Sequence, residues 1–281
     1  MVWGRLVLGA AALVVISAVT RTPLPGDPRL WGHLLAVALL LCVVPFSLFA
    51  WAEQHVSSGV ASVLNATTPL MTVLVGMAAL PQERLSRDRV AGLLLGFAGV
   101  LVVIGAWNLT AGGELLGQLA CLGATASYGL AFVYLRRFVA SRNLPALTVA
   151  TVQVVLGGLV MLVATPFIAD PTPILTGRVV AAVVLLGVLG TGLAYVWNTA
   201  IVGRWGATNA STVTYLTPLV GVLLGVLILG ESATWNQPLG ALVIVAGVVV
   251  AQGRLPTIRS KLRHSRGGRG DRIAEHEDHS I

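Results

Sequence analysis

The chain of 281 residues is 56% hydrophobic and only 10% charged, where an ordinary soluble domain carries roughly 25% charged residues. So few charges cannot clothe a water-soluble surface of this size. The net charge of +7 sits in short loops and in a basic tail from Arg254 to Arg272, a placement that fits anionic lipid at a membrane face and argues against a nucleic-acid partner.

A bilayer core about 30 Å thick takes about 20 apolar residues as helix. Nine stretches approach that measure: Val2 to Val19, Leu30 to Ala50, Ser57 to Leu80, Val90 to Trp107, Leu115 to Leu135, Ala146 to Ile168, Val179 to Ile201, Ala207 to Leu229, and Pro238 to Ala251. They are continuously apolar, and lipid offers no partner for a bare backbone amide, so helices are expected and a β-barrel is not. The chain therefore reads as an all-α polytopic membrane protein with nine transmembrane helices. Arg5 ahead of an apolar run could mark a signal peptide. Thr20 to Pro25 offers no small-residue cleavage pattern, however, so the first span reads as a retained helix.

Between these spans the loops alternate in charge. One side receives only Arg5 and Arg178. The other receives Arg21, Arg29, Arg84, Arg87, Arg89, Arg136, Arg137, Arg142, Arg204 and the basic tail. The positive-inside rule puts that second side, with the C-terminus, in the cytoplasm of a multi-pass protein of the cell membrane. No Asp, Glu, Lys or Arg falls well inside a span, so the interior reads as neutral, without the intramembrane charge that would point to ion coupling. Trp3, Trp31, Trp51, Trp107, Trp205 and Trp235 lie near span ends, as in an interfacial belt. Cys42 and Cys121 read as small core hydrophobes.

Two stretches match each other. Ala61-Ser62 falls on Ala210-Ser211, Thr68-Pro69-Leu70 on Thr217-Pro218-Leu219, Glu83 on Glu231, Gly92 on Gly240, and Gly99 on Gly247. The spacing is 149 residues up to the prolines and 148 after them. Glu83 and Glu231 belong to loops on opposite sides, so the copies are expected to be inserted upside down, as in carriers built from inverted repeats. The helices VSSGVASVLNATTPL and TNASTVTYLTPL, each followed by a Glu (PQER, LGES) and a Gly-spaced helix (GLLLGFAGV, GALVIVAGV), resemble the EamA-type branch of the drug/metabolite transporter superfamily. The resemblance covers nearly everything from Arg5 to Ala251. It implies ten helices as two five-helix inverted repeats, and export of small organic solutes, often coupled to protons. On that pattern residues 1–107 form a first repeat of four helices, 114–253 a second of five, and 254–281 a disordered cytoplasmic tail. The first helix of the ten is then expected ahead of Met1.

Pro69 and Pro218 sit in matching places near mid-helix, where proline deprives the carbonyls of Asn65 and Thr214 of their donor. With Thr68, Thr72 and Tyr215 around them, these residues are the candidate solute pathway; the competing role is bonding between helices. Tyr195 and Asn198 form a second polar patch assigned to the pathway. Gln118, Tyr128 and Gln153 are isolated polar residues with a structural reading. Glu53 beside His55 is the candidate pair for proton coupling, and Glu83 and Glu231 are candidate gates or helix-end anchors. Gly92/Gly96 and Gly221/Gly225 have the spacing of close helix packing. No catalytic constellation, metal site or cofactor is expected, and the expected partners are the lipid bilayer and a small organic solute. The alternative functions are a non-transporting scaffold or receptor and, more distantly, a membrane-embedded enzyme. Substrate, coupling ion and oligomeric state are not legible in the residues.

Overall fold

The computed structural model describes residues 2–79, 86–105, 113–139, 142, 144–168, 176–197, 216–231 and 234–251. In chain order its helices are α1 (Val2–Val19), α2 (Pro28–Ala38), α3 (Val44–Ala52), α4 (Ser58–Asn65), α5 (Thr68–Ala79), α6 (Arg87–Ile104), α7 (Gly113–Phe138), α8 (Ala146–Ile168), α9 (Gly177–Gly187), α10 (Leu216–Leu229) and α11 (Asn236–Ala251). A π-helical turn, Leu39–Val43, joins α2 to α3, and a second, Val188–Leu193, continues α9. Among the described residues, six helical stretches are long and apolar enough to cross a bilayer, and the shorter apolar runs Val220–Leu229 and Asn236–Ala251 add to them. The chain is a polytopic, all-helical membrane protein.

Local chemistry sets the boundaries. Asp27, Ser57, Ser86 and Thr176 each cap a helix by accepting a backbone amide, from Arg29, Val60, Arg89 and Val179 respectively. Gly105 ends α6 with a left-handed φ of +67°, a conformation glycine adopts without a Cβ penalty. The span expected from Ser57 to Leu80 is present as Ser58–Ala79, interrupted by a turn at Ala66–Thr67 that parts α4 from α5. Pro69 therefore lies in the first turn of α5, where a missing N–H costs little, and does not kink a continuous helix.

The packing is that of a membrane bundle. Large apolar side chains such as Leu227, Val163 and Leu242 face outward, 69–77% exposed, where lipid would cover them. Thr67, Gln118, Thr125, Thr148, Gln153 and Thr191 are buried instead, since a polar group facing lipid would lack a partner. Leu64, Leu70, Val103, Ile244 and Val248 build one core among α4, α5, α6 and α11. Leu6, Leu13, Leu34, Val37 and Val154 build a second among α1, α2 and α8.

Helices α6 and α11 cross in close antiparallel contact. A Cβ on Gly247 would lie 2.7 Å from the Gly92 carbonyl oxygen, and one on Gly240 would lie 2.9 Å from that of Gly99. The bundle also has two distinct ends. At one, Arg142 pairs with Asp27 at 3.0 Å and Arg137 donates to the Ala79 carbonyl at 3.1 Å. At the other, Glu231 reaches the start of α4, and Asn236 donates to the Val103 carbonyl at 2.9 Å.

Candidate functional site

Arg5 overturns the expectation of a neutral interior. Its position near the chain start reads as a helix flank, yet α1 packs along α8, α9 and the second π turn, and its guanidinium turns inward. The Nε donates to Thr191 Oγ1 at 2.8 Å, and the guanidinium carbon lies 4.0 Å from the centre of the Phe46 ring. Thr191 is buried and donates in turn to the Leu186 carbonyl at 3.2 Å. Tyr128, Tyr195, Cys42 and Glu53 are its titratable neighbours. Thr191 and Phe46 belong to spans Gly177–Trp197 and Pro28–Ala52, inside their apolar depth.

The two π turns build this centre. Pro45 has no N–H to give, and the wide turn ahead of it lets Val44 bond back to Leu39. Ser127 Oγ of α7 supplies the Leu40 carbonyl with a donor at 2.7 Å. Cys42 in that turn contacts the Tyr195 hydroxyl at 3.5 Å, and Phe49 tilts against Tyr128 at 6.3 Å between ring centres.

The positions correspond between halves. Leu39–Val43 and Val188–Leu193 start 149 residues apart, as do Cys42 and Thr191, and Phe46 and Tyr195. Arg5-Leu6-Val7-Leu8-Gly9 matches Gln153-Val154-Val155-Leu156-Gly157 at 148. The contacts follow the same pairing. A Cβ on Gly9 would lie 2.8 Å from Thr191 Cγ2 and 3.1 Å from the Gly187 oxygen; one on Gly157 would lie 3.2 Å from Cys42 Cβ and 3.9 Å from the Ala38 oxygen. Gln153, the counterpart of Arg5, is 3% exposed, and its Oε1 has no hydrogen-bond partner. The short RLVLG and QVVLG match was the sequence signal for this site, and it lies outside the stretch that carries the longer repeat.

The expected pathway residues are bonded locally. Thr68 Oγ1 donates to the Asn65 carbonyl at 2.7 Å, so the acceptor that Pro69 frees is already satisfied. Thr72 Oγ1 donates to the Thr68 carbonyl at 2.8 Å. Tyr195 joins the Arg5 centre. Asn198, Thr214, Tyr215 and Glu83 lie outside the described residues, and Pro218 lies in α10.

At the end of the bundle, Glu231 accepts from the Ser58 amide at 2.9 Å, the Ser58 hydroxyl at 3.0 Å and the Gly59 amide at 3.2 Å. Burial raises its pKa, but these bonds outweigh it and hold the carboxyl below its ordinary value. Glu53 goes the other way. Crowding by neighbouring chain raises its pKa, Arg5 opposes the rise, and Glu231 adds to it. His55 tilts against Trp51, 4.3 Å between ring centres, and its Nδ1 lies 3.0 Å from the Trp51 carbonyl oxygen.

The family model of the EamA-like transporter family matches residues 1–105 and 115–252. The chain belongs to that family. This EamA-family chain is 27% identical to the uncharacterised transporter YoaV of Bacillus subtilis over 87% of its own length and 83% of the relative's. It is 25% identical to a "Probable amino-acid metabolite efflux pump" of Salmonella typhimurium, over 76% of its length and 71% of that protein's. A solved crystal structure shares its fold with a TM-score of 0.65 at 24% identity, covering 89% of this chain and 87% of that one. The chain is thus a membrane transporter embedded in lipid and acting on small solutes.

Proposed function

We propose that the chain is a secondary carrier that exports a small organic metabolite or drug across the cytoplasmic membrane by alternating access, with its C-terminus in the cytoplasm. Its working parts are two inverted repeats, residues 1–107 and 114–253, followed by the basic tail 254–281. The observation that carries this reading is the reciprocity of the glycine contacts. Gly9 meets Thr191 and Gly187, and its counterpart Gly157 meets their counterparts Cys42 and Ala38. Reciprocal contacts are the signature of a two-fold axis. With antiparallel α6 and α11 that axis would lie in the membrane plane, the arrangement in which exchanging the halves' conformations opens one side and closes the other. The name of the Salmonella relative favours export, and the pathway would run past the Arg5 centre, Pro69 and Pro218.

Counterflow of labelled solutes in proteoliposomes tests transport, and Asn65→Ala and Thr214→Val test the pathway. Both variants are expected at normal membrane abundance but with transport slowed about tenfold, equivalent to roughly 1.4 kcal/mol of lost solute interaction. Normal transport by both returns these residues to a role in helix packing.

A further inference from the structure

Among the described residues the Arg5 guanidinium is a cation inside the bundle with no counter-ion at hand. Its Nε is used by Thr191 and one face lies on Phe46. Among the described residues no carboxylate stands within ion-pair distance of it; the acid that acts on it from further off is Glu53, at the end of α3. Arg5 is itself only partly buried, so part of its surface stays accessible. A charge at membrane depth is expensive unless something pairs with it, and such residues are functional by default. A bare surface ion pair would need no such enclosure, and a purely structural arginine would be saturated by carbonyls.

We propose that Arg5 is the anchor for the carboxylate of the transported solute, a small monoanion whose apolar body lies among Phe46, Tyr128 and Tyr195. The inference rests on the carrier reading above. Among the described residues no hydrogen bond engages the Nη groups, which can form the forked, two-bond contact that guanidinium makes with a carboxylate. Nε is already taken, which fixes the plane in which that contact forms. Among the described residues the site holds one cation and not a cluster: the counterpart of Arg5 in the second half is the neutral Gln153. One cation matches one negative charge, so a monocarboxylate fits and a doubly charged phosphate ester is under-compensated. The rings supply apolar area and a polar hydroxyl each from the tyrosines, the usual make-up of a small-molecule pocket.

The test is thermal unfolding of the full-length protein in detergent with three probes: phenylacetate, its neutral isostere phenylacetamide, and phenyl phosphate. Phenylacetate is expected to raise Tm by roughly 4 °C at saturation, with little or no rise from the other two. Arg5→Gln should abolish the difference between acid and amide, and Arg5→Lys should keep part of it, because the charge survives while the fork does not. Equal responses to acid and amide, no response to the acid, a larger response to the phosphate, or a difference that survives in Arg5→Gln would each overturn the proposal. Because the acid–amide comparison is made on the unmutated protein, it stands even where Arg5→Gln does not fold. Transport assays separate this inference from the carrier reading. Transport of a neutral solute that Arg5→Gln leaves intact overturns the anchor and spares the carrier; carboxylate binding through Arg5 in a protein that moves no solute supports the anchor and overturns the carrier.

Discussion

At the scale of single residues, Glu231 and Glu53 show how environment divides two carboxylates at one end of the bundle. Glu231 collects three hydrogen bonds at the start of α4, where the helix dipole also favours negative charge. Its folded-state pKa lies below the ordinary 4.5, so its contribution to stability is fully present above that value and is lost as pH falls through the folded value. Glu231→Ala should cost about 1.5–3 kcal/mol, the range for hydrogen bonds to a charged group, and Glu231→Gln less. Thermal unfolding at neutral pH and below pH 4.5 checks this: the gap between wild type and Glu231→Ala should shrink in acid, and a gap constant with pH would refute the charge-based account. The shift at Glu53 has the opposite sign. With its pKa raised above 4.5, it holds a proton more tightly in the folded state, and ionising it costs stability as pH rises through that window. If it carries the coupling proton, Glu53→Gln should flatten the pH profile of transport without lowering stability at neutral pH; an unchanged profile removes Glu53 from the coupling scheme.

At the scale of helices, glycine decides where backbones can touch. Gly99 faces α11 so closely that a Cβ would lie 2.7 Å from the Ile244 amide nitrogen. That contact is backbone and cannot rotate away. Gly99→Ala and Gly247→Ala should therefore force α6 and α11 apart and reduce folded protein in the membrane. Gly32→Ala in α2, with nothing within 4 Å of the added carbon, should be neutral or stabilising by up to about 1 kcal/mol from helix propensity. Fluorescence-detected gel filtration of the three variants checks the contrast, and equal behaviour would show that the crossing is looser than its geometry implies. The spacing of Gly92 and Gly96 announced close packing, but their partner is fixed only by the tertiary fold. Other features were legible for similar reasons, and some were not. Continuous apolar runs made the helices legible, while the caps at Ser57 and Ser86 emerge only in the structure. The break at Ala66–Thr67 is not legible in the sequence, because the apolar pattern runs straight across it. The π turns left no pattern at all, since one extra residue per turn is accommodated by neighbours such as Ser127. Arg5 was misjudged because distance from a chain end is a poor guide to depth when the side chain is long and turns inward.

For the whole molecule, the distribution of basic residues and the contacts at the two ends have to tell one story. Asp27, Ala79, Arg137 and Arg142 meet at one end. That end also carries Arg21 and Arg29, and α6 starts there with Arg87 and Arg89. Glu53, His55, Glu231 and the start of α7 gather at the other, where His55 packs against Gly113 and basic residues are scarce. Retention of short basic loops on the cytoplasmic side then orients the bundle. Cysteine labelling with a membrane-impermeant maleimide tests it, and the native thiols do not interfere, since Cys42 and Cys121 are both buried. Asp88→Cys and Glu114→Cys are suitable reporters because both native side chains are exposed and they flank α6 and α7 at opposite ends. In intact cells Glu114→Cys should label and Asp88→Cys should not, with both reacting once the membrane is opened. The reverse pattern would invert the molecule. It would place Glu53 and Glu231 in the cytoplasm, and a proton taken up by Glu53 would then come from inside the cell, against the sense required for proton-driven export.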